Sequence, residues 1–408
     1  MTPESALDGP NSGPAKTEKG VGFLRPVIVS VIGFLTLVDL FATQAILPSL
    51  AMHYGVKPAS IGLAANASTI GMAVSCLVVA LISRQLNRWR GIWVCLALLA
   101  IPTSLLAIAP DLATFTALRI MQGVFMAAAF TLTMTYLAEH NSAEATASAL
   151  AAYITGVVAS NLAGRLISAT LADFFGLGVN FYFFAALNLA GAALVFLNLD
   201  RMSPMVSTER LSSPLASWGQ HLSNRALVAS FGIGFLILFA FIGTFTYVNF
   251  VLSGAPIALS RMSLGLVYIV FLPAMFTTPI AGRVALRIGT RPAILGGLAV
   301  AAAGLPLLLL PNIGSVLIGM VFVAVGTFFA QAIGTGFVGR AAMGDRAAAS
   351  GLYLACYYFG GLVGAALLGQ LFDRFGWPAC VAGVAISLAL AALLAFRLKI
   401  PTTPTFAA

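Results

Sequence analysis

The sequence predicts an all-α integral membrane protein with twelve transmembrane helices in two pseudo-repeated six-helix bundles. Two observations predict this class: 60% of the 408 residues are apolar and only 8% are charged, and the apolar residues fall into twelve long runs. A soluble domain carries about 25% charged residues. No soluble core could cover so much apolar surface, so the composition excludes a water-soluble enzyme, a disordered chain and a secreted disulfide scaffold.

Each apolar run is long enough to span the bilayer, because a helix needs about 20 apolar residues to cross roughly 30 Å of hydrocarbon. Lipid admits only helices or closed barrels, and the runs lack the alternation of barrel strands, so each is predicted to be a helix. The first run contains Asp39 and precedes eleven others, which favours an uncleaved helix over a signal peptide. The predicted spans lie within residues 27–49, 58–83, 91–110, 112–138, 145–172, 174–199, 226–260, 262–282, 292–339 (two spans, divided at 310–314), 347–372 and 375–396.

The distribution of basic residues predicts the orientation of the chain. With a cytoplasmic amino terminus, 16 of the 21 lysines and arginines lie on the inner side and three on the outer side. We therefore expect a multi-pass protein of the inner (plasma) membrane with both termini in the cytoplasm. The basic residues are scattered singly between apolar runs, so the net charge of +9 does not indicate nucleic-acid binding.

The two halves of the chain repeat each other. The segment Ile32-Gly33-Phe34-Leu35 recurs as Ile233-Gly234-Phe235-Leu236, and further matches recur at nearly the same offset. Because six spans are an even number, both copies enter the membrane in the same orientation, as in transporters whose halves rock against each other. The predicted divisions are a cytoplasmic tail (1–25), an amino-terminal bundle (26–198), a cytoplasmic linker (199–226), a carboxy-terminal bundle (227–397) and a second tail (398–408).

The linker contains a candidate surface helix. Leu215, Trp218 and Leu222 have the spacing of a short helix that lies on the inner membrane face. A plain loop is the alternative.

Three charged residues lie within predicted spans: Asp39, Arg119 and Arg165. A charge at a helix centre costs about 2.5–3.5 kcal/mol and normally faces a cavity or a partner. We expect Asp39 to face the space between the bundles and to exchange a proton near neutral pH, with a structural pairing to a buried arginine as the alternative. Arg119 and Arg165 stay charged and can hold a carboxylate or an anionic group; snorkelling to the headgroups is their alternative.

Further polar and aromatic residues within the spans are candidates for a substrate cavity. Packing between helices and contact with lipid are the alternatives for each of them. Together with Arg165, the predicted cavity residues are Gln44, Asn161, Phe245 and Gln331. No catalytic constellation, phosphate-binding loop or metal-ligand spacing is found, so neither a cofactor nor an enzymatic activity is expected.

Two segments resemble motifs of the major facilitator superfamily. Arg119-x-x-Gln122-Gly123 resembles the R-x-x-Q-G motif, which is associated with proton coupling in the drug/proton antiporters of that superfamily. The segment 282–291 resembles the loop G-x-x-x-D-R-x-G-R-R that latches the cytoplasmic gate, with Leu286 in place of the aspartate, and the loop after the second span keeps two arginines. The similarity covers residues 25–398. It implies that Arg119 and Gln122 take part in proton coupling, with Asp39 as the proton carrier expected from its place within the first span. It also implies gating roles for Arg84, Arg88, Gly282, Arg287, Gly289 and Arg291.

These residues and the resemblance lead to a hypothesis of secondary active transport by alternating access. The expected partners are a small organic solute, the proton and the lipid bilayer, and the protein is expected to be a monomer. Proton-coupled export (antiport) is the predicted direction. Proton-coupled uptake of a small organic anion (symport) and a non-transporting receptor are the alternatives.

Overall fold

The computed structural model describes residues 21–82, 86–140, 143–201, 214–342 and 345–398. Within these ranges the regular structure is helical, and twelve segments are long and apolar enough to cross a membrane. The predicted fold class is thereby confirmed. The spans, numbered 1 to 12 in chain order, are Arg25–Ala45, Pro58–Ile82, Arg88–Ile108, Leu112–Glu139, Ser148–Phe174, Gly176–Asn198, Arg225–Ser253, Met262–Ile288, Thr290–Leu309, Ile313–Ala341, Ala348–Phe375 and Trp377–Ala395.

Most spans are formed by one α-helix, whose ends extend past the span in several cases. Spans 3 and 9 each finish in a short 3-10 segment, Leu106–Ile108 and Pro306–Leu309. Two further helices, Leu47–Tyr54 and Pro214–Ser223, lie in the connections. The main helices are Val21–Ala45, Arg88–Leu105, Leu112–His140, Ala143–Phe174, Gly176–Asn198, Arg225–Ser253, Thr290–Gly304, Ile313–Ala341, Arg346–Phe375 and Trp377–Ala395.

Spans 2 and 8 are interrupted helices. Span 2 is divided at Ala67 into Pro58–Asn66 and Ser68–Ile82. Span 8 contains Pro273 and Pro279, and a proline removes the N–H that an α-helix needs four residues after a carbonyl. The N–H of Leu272 bonds instead to the carbonyl of Ile269, three residues back. Span 8 thus runs as Arg261–Leu266, Val267–Phe271 (3-10), Leu272–Thr277, Thr278–Ile280 (3-10) and Ala281–Ile288.

Each half uses the same pairings of spans. Span 1 packs along span 5, and span 7 packs along span 11 in the equivalent position of the second half. Spans 2 and 4 are likewise neighbours. The predicted boundaries near 198 and 226 stay predictions, although span 6 ends at Asn198 and span 7 begins at Arg225. Most of both predicted tails lies outside the described residues.

The two halves meet along spans 2 and 11 and along spans 5 and 8. We call the side where span 1 begins the terminal face and the other side the opposite face. At the opposite face, the carboxylate of Asp373 accepts a hydrogen bond from the N–H of Ala59 across the halves (3.2 Å). Toward the terminal face, Gly351 of span 11 lies against Ala80 of span 2. The structure is therefore closed along this pair of spans.

The predicted linker helix is present and bridges the halves. Pro214–Ser223 packs against spans 2, 7 and 11. Its buried side carries Ser217 and His221, whereas Leu222 is exposed. The helix itself is as predicted, but its inward face is partly polar because the imidazole of His221 bonds to the main-chain oxygen of Asp345 (2.9 Å).

The carboxylate of Asp111 caps the first turn of span 4. It accepts a hydrogen bond from the N–H of Thr114 (2.8 Å), and this bond lowers the pKa of the exposed carboxyl.

Span 4 also approaches span 2 closely. A methyl group added at Gly123 would lie only 1.8 Å from the main-chain oxygen of Ser68. Glycine is required here because spans 2 and 4 pack backbone against backbone.

We predict that Gly123→Ala lowers the thermal stability of the purified protein, because forcing extra volume into a packed interface costs about 1–3 kcal/mol. Gly296→Ala in span 9 is the matched control, since nothing lies within 4 Å of a methyl group there. Melting curves of both variants in the same detergent give the comparison. Equal melting temperatures for the two variants would contradict this account of the helix packing.

Candidate functional site

Asp39 lies in a buried polar cluster of spans 1, 3, 4 and 6, which we call the Asp39 cluster (Asp39, Thr103, Arg119, Gln122 and Asn188). One carboxylate oxygen, Oδ2, lies 3.0 Å from the Thr103 hydroxyl and accepts a hydrogen bond from the Asn188 amide at 2.7 Å. The other oxygen, Oδ1, has no hydrogen-bond partner among the described residues. Asp39 itself is 3% exposed. A buried acid is therefore held by neutral groups.

Arg119 ties three spans together. Its guanidinium donates to the main-chain oxygens of Asp39 (3.4 Å) and Ala65 (2.8 Å) and to the hydroxyl of Ser68 (3.1 Å). It also donates to the side-chain oxygen of Gln122 at 2.7 Å, and the Gln122 amide donates to Thr103 at 2.7 Å. Arg119 thus reaches the Asp39 carboxylate through Gln122 and Thr103. The three predicted proton-coupling residues are brought together.

The position of the Asp39 side chain differs from the expectation. Its carboxylate bonds to residues of the amino-terminal half, not to the other half. At about 100° per residue, Phe41 and Gln44 lie roughly 160° and 140° around span 1 from Asp39. Those two residues contact the carboxy-terminal half, so the acid points away from the interface.

Arg165 lies at the interface between the halves, inside a set of aromatic rings that we call the Arg165 box. It is fully buried. The guanidinium carbon lies 4.3 Å from the ring centre of Tyr268, 4.6 Å from that of Phe271, 4.8 Å from that of Phe41 and 6.0 Å from that of Phe245. Three of these four rings belong to spans 7 and 8 of the other half, so a cation of one half is covered by the other.

The 3-10 segment of span 8 builds one wall of this box. Side chains three residues apart eclipse in a 3-10 helix, and the rings of Tyr268 and Phe271 are accordingly parallel within 3°, with centres 5.9 Å apart. Tyr268 donates to the side-chain oxygen of Asn249 at 2.8 Å. The break next to Pro273 therefore aligns two rings on Arg165.

The polar partners of Arg165 are neutral amides. The guanidinium donates to the side-chain oxygens of Asn161 and Gln44, and its Nε–H has no acceptor among the described residues. Gln44 also donates to Asn66 (3.0 Å), which donates to Thr246 of span 7 (3.0 Å). Between these polar residues and the opposite face lies a cavity of about 380 Å³. The residues that line it include Ala45, Ile46, Pro48, Ala169, Phe250 and Leu264.

The sequence of the chain matches a known family. The sequence model of the Major Facilitator Superfamily matches residues 29–272 and 251–408. The chain belongs to the Major Facilitator Superfamily.

Relatives agree with this assignment. The chain is 26% identical over 374 residues to the uncharacterized MFS-type transporter YybF of Bacillus subtilis, covering 90% of this chain and 93% of the relative. It is 27% identical over 367 residues to the inner membrane transport protein YnfM of Escherichia coli, covering 90% and 88%. Family and relatives indicate a membrane transporter of this superfamily rather than an enzyme.

Solved structures share the fold. A bacterial homolog of the human lysosomal transporter Spinster, in an inward-facing and occupied conformation, has a TM-score of 0.71 at 14% identity and covers 94% of this chain and 95% of its own. The nucleoside transporter NupG has a TM-score of 0.69 at 15% identity, with 92% and 98% covered. At this identity the likeness concerns the fold alone.

The superfamily's gating segments are only partly defined here. Arg84 lies outside the described residues. Arg88 is buried and forms a two-point ion pair with Glu139 of span 4 (3.1 and 3.3 Å). In the second half, Gly289 adopts a positive φ of 95° at the turn between spans 8 and 9. The neighbouring Gly282 and Arg287 are exposed, and Arg291 lies 4.1 Å over the ring of Phe396.

Of the predicted cavity residues, Gln44, Asn161, Arg165 and Phe245 meet at one place in this superfamily member. Gln331 lies elsewhere, bonded to Tyr353 of span 11 (2.9 Å). Sequence reasoning missed Thr103, Tyr268 and Glu139. Thr103 also bonds to the carbonyl four residues back, as threonines in helices commonly do, so nothing in the sequence distinguishes it.

We predict that Glu139→Gln lowers thermal stability by about 1.5–3 kcal/mol, because it leaves the buried charge of Arg88 without its counterion. Asp200→Asn is the matched control: it removes the acid of the exposed pair Arg25–Asp200, and such pairs contribute about 0–1 kcal/mol. Melting of the purified variants measures both effects. A Glu139→Gln protein as stable as Asp200→Asn would show that the Arg88–Glu139 pair does not stabilise the fold.

Proposed function

We propose that this chain is a proton-coupled secondary transporter of a small organic solute, working by alternating access as a monomer in the inner membrane. The observation that carries the proposal is the buried carboxyl of Asp39, held by neutral groups and linked to Arg119. The name of the relative YnfM, an inner membrane transport protein, supports the location. The positive charges counted in the sequence support cytoplasmic termini, so the opposite face would be the outer one.

Asp39 is the proposed proton carrier because its hydrogen-bond neighbours are neutral and the hydroxyl of Thr103 can adjust to either protonation state. Thr103 has one hydroxyl proton, and its oxygen lies 3.0 Å from the carboxylate and 2.8 Å from the main-chain oxygen of Leu99. The hydroxyl donates to Asp39 when the acid is ionised and to Leu99 when it is protonated. Neither state leaves the hydroxyl proton without an acceptor, which limits the cost of the change.

Arg119 is the proposed link between protonation and movement. A charge pair in a low-dielectric interior interacts strongly, so neutralising Asp39 weakens the attraction between spans 1 and 4. Arg119 also holds the main chain of span 2 near its break at Ala67. Spans 1 and 2 contact the other half through Gln44 and Asn66. A change at Asp39 would therefore reach the interface through spans 1 and 2.

Export in exchange for protons is the direction we propose from the resemblance of the Arg119 motif to drug/proton antiporters. Proton-coupled uptake of an organic anion is the second candidate, and Arg165 favours it, since this buried cation has no acidic partner among the described residues. Measuring solute accumulation in cells with and without the protein separates the two directions.

We predict that Asp39→Asn abolishes accumulation driven by a pH gradient in proteoliposomes, while exchange of labelled for unlabelled solute without a gradient persists. Asparagine keeps the size and polarity of the side chain but cannot carry a proton. The solute is chosen beforehand by a thermal-shift screen, because a binder stabilises the folded protein by mass action.

Asp111→Asn is the matched control, since it removes an exposed carboxyl and keeps a good helix cap. It should leave both activities unchanged. Gradient-driven accumulation that survives Asp39→Asn would refute the role of Asp39, whereas loss of exchange as well would indicate a structural defect.

A further inference from the structure

We propose that the Arg165 box is the binding site for the anionic group of the substrate, and that the substrate is an amphipathic organic anion: a carboxylate on a flat or apolar body. This inference rests on the proposed transport by alternating access and names its substrate class. The buried charges, the hydrogen-bond donors of Arg165, the four rings around it and the neighbouring cavity support it.

Arg165 has no acidic partner among the described residues, unlike the other buried arginines. Within the described residues, the buried charged side chains are Asp39, Arg88, Arg119 and Arg165. Arg88 is paired with Glu139, and Arg119 shares its cluster with Asp39. Arg165 therefore keeps an uncompensated charge in the middle of the protein. A cation in such a place is costly unless something neutralises it during the working cycle.

The donors of Arg165 fit a carboxylate. A guanidinium has five N–H donors in a rigid fork that matches the two oxygens of a carboxylate. Here two donors reach neutral amide oxygens, on Gln44 and Asn161, and Nε–H reaches no acceptor among the described residues. A carboxylate would replace a neutral acceptor by a charged one, and charged hydrogen bonds are roughly twice as strong.

The rings specify the rest of the substrate. Phe41, Phe245, Tyr268 and Phe271 surround the guanidinium with aromatic faces, and in the closed state these faces partly stand in for an anion by cation–π attraction. Once the halves part, the same faces offer stacking and apolar contact. An anion with an apolar body would contact both the guanidinium and the aromatic faces. A strongly hydrated inorganic ion would contact only the guanidinium.

Access to the site follows from the interface between spans 5 and 8. The cavity on the opposite face is lined by Ala169, one turn beyond Arg165, and by Ala45, next to Gln44. Gly265 of span 8 closes against Ala169. When spans 5 and 8 separate, Tyr268 and Phe271 move off with span 8, and the guanidinium faces this cavity. In this open state the substrate would contact the half that carries Arg165, whichever direction transport takes.

Ligand-dependent melting of the purified full chain tests the proposal with defined probes. Benzoate and decanoate are the anions, benzamide and decanamide their neutral counterparts, and chloride the inorganic anion. The wild type is expected to be stabilised by at least one carboxylate and not by its amide. In Arg165→Gln the apparent affinity for that carboxylate should fall at least about tenfold, because a charged two-point hydrogen bond is lost.

Arg165→Lys keeps the charge without the fork and should bind with intermediate affinity. Arg340→Gln is the matched control, since it removes an exposed arginine bonded to Thr290, and it should bind as the wild type does. Equal carboxylate affinity in Arg165→Gln overturns the proposal, and so does equal stabilisation by carboxylate and amide in the wild type. Stabilisation by chloride as large as that by either carboxylate also overturns it, in favour of an inorganic-anion site.

The comparison within the wild type keeps the test decisive even if both Arg165 variants fail to fold. A failure of the anion site can be distinguished from a failure of the proposed proton coupling. Asp39→Asn should bind the carboxylate, because the side chain of Asp39 is bonded to Thr103 and Asn188 and not to Arg165 or its amide partners among the described residues. Its loss of gradient-driven transport is measured separately. Carboxylate binding without coupling would leave the anion site standing and remove only the proton role of Asp39.

Discussion

The whole arrangement depends on the cost of a charge in hydrocarbon. The lipid offers no water to a guanidinium or a carboxylate, so each must find partners inside the protein. Arg119 finds them within one half, where four of its hydrogen bonds fix span 4 to spans 1 and 2. Arg165 has its amide partners in its own half, but three of the four rings around it come from the other half. One arginine stabilises a bundle and the other depends on the contact between bundles.

This difference divides the protein into a fixed part and a changing part. Backbone contacts such as that of Gly123 with Ser68 leave no room for sliding inside a half. The contacts between halves include isolated hydrogen bonds, such as Asp373 with Ala59 and Asn66 with Thr246, beside the aromatic contacts of the Arg165 box. Interfaces of this kind favour rigid-body movement of one half on the other. The interrupted span 8, which supplies the 3-10 wall against Arg165, lies at that boundary.

The positions of the twelve spans could be predicted from the sequence, because the length and hydropathy of a segment decide whether it crosses lipid. The three charged residues within the spans were also identified from the sequence. Sequence reasoning also grouped Gln44, Asn161, Arg165, Phe245 and Gln331 as cavity residues. The first four meet, whereas Gln331 lies elsewhere, against Tyr353. Sequence reasoning could not predict the direction of Asp39, although the opposite placement of Phe41 and Gln44 around span 1 contains that information. Tyr268 and Phe271 were beyond reach, because two rings in an apolar stretch look like lipid contacts until a proline-dependent 3-10 turn aligns them.

We expect the charge of Arg165 to hold the two halves together at the opposite face. Spin labels at the exposed positions Ala113 of span 4 and Ile313 of span 10, placed in a cysteine-free background, report the separation of the halves there by double electron–electron resonance. With Arg165 replaced by glutamine, the cation–π attraction of about 2 kcal/mol or more is lost, and the distance distribution should shift toward longer, open separations. Identical distributions with and without the guanidinium would show that this charge does not hold the halves together.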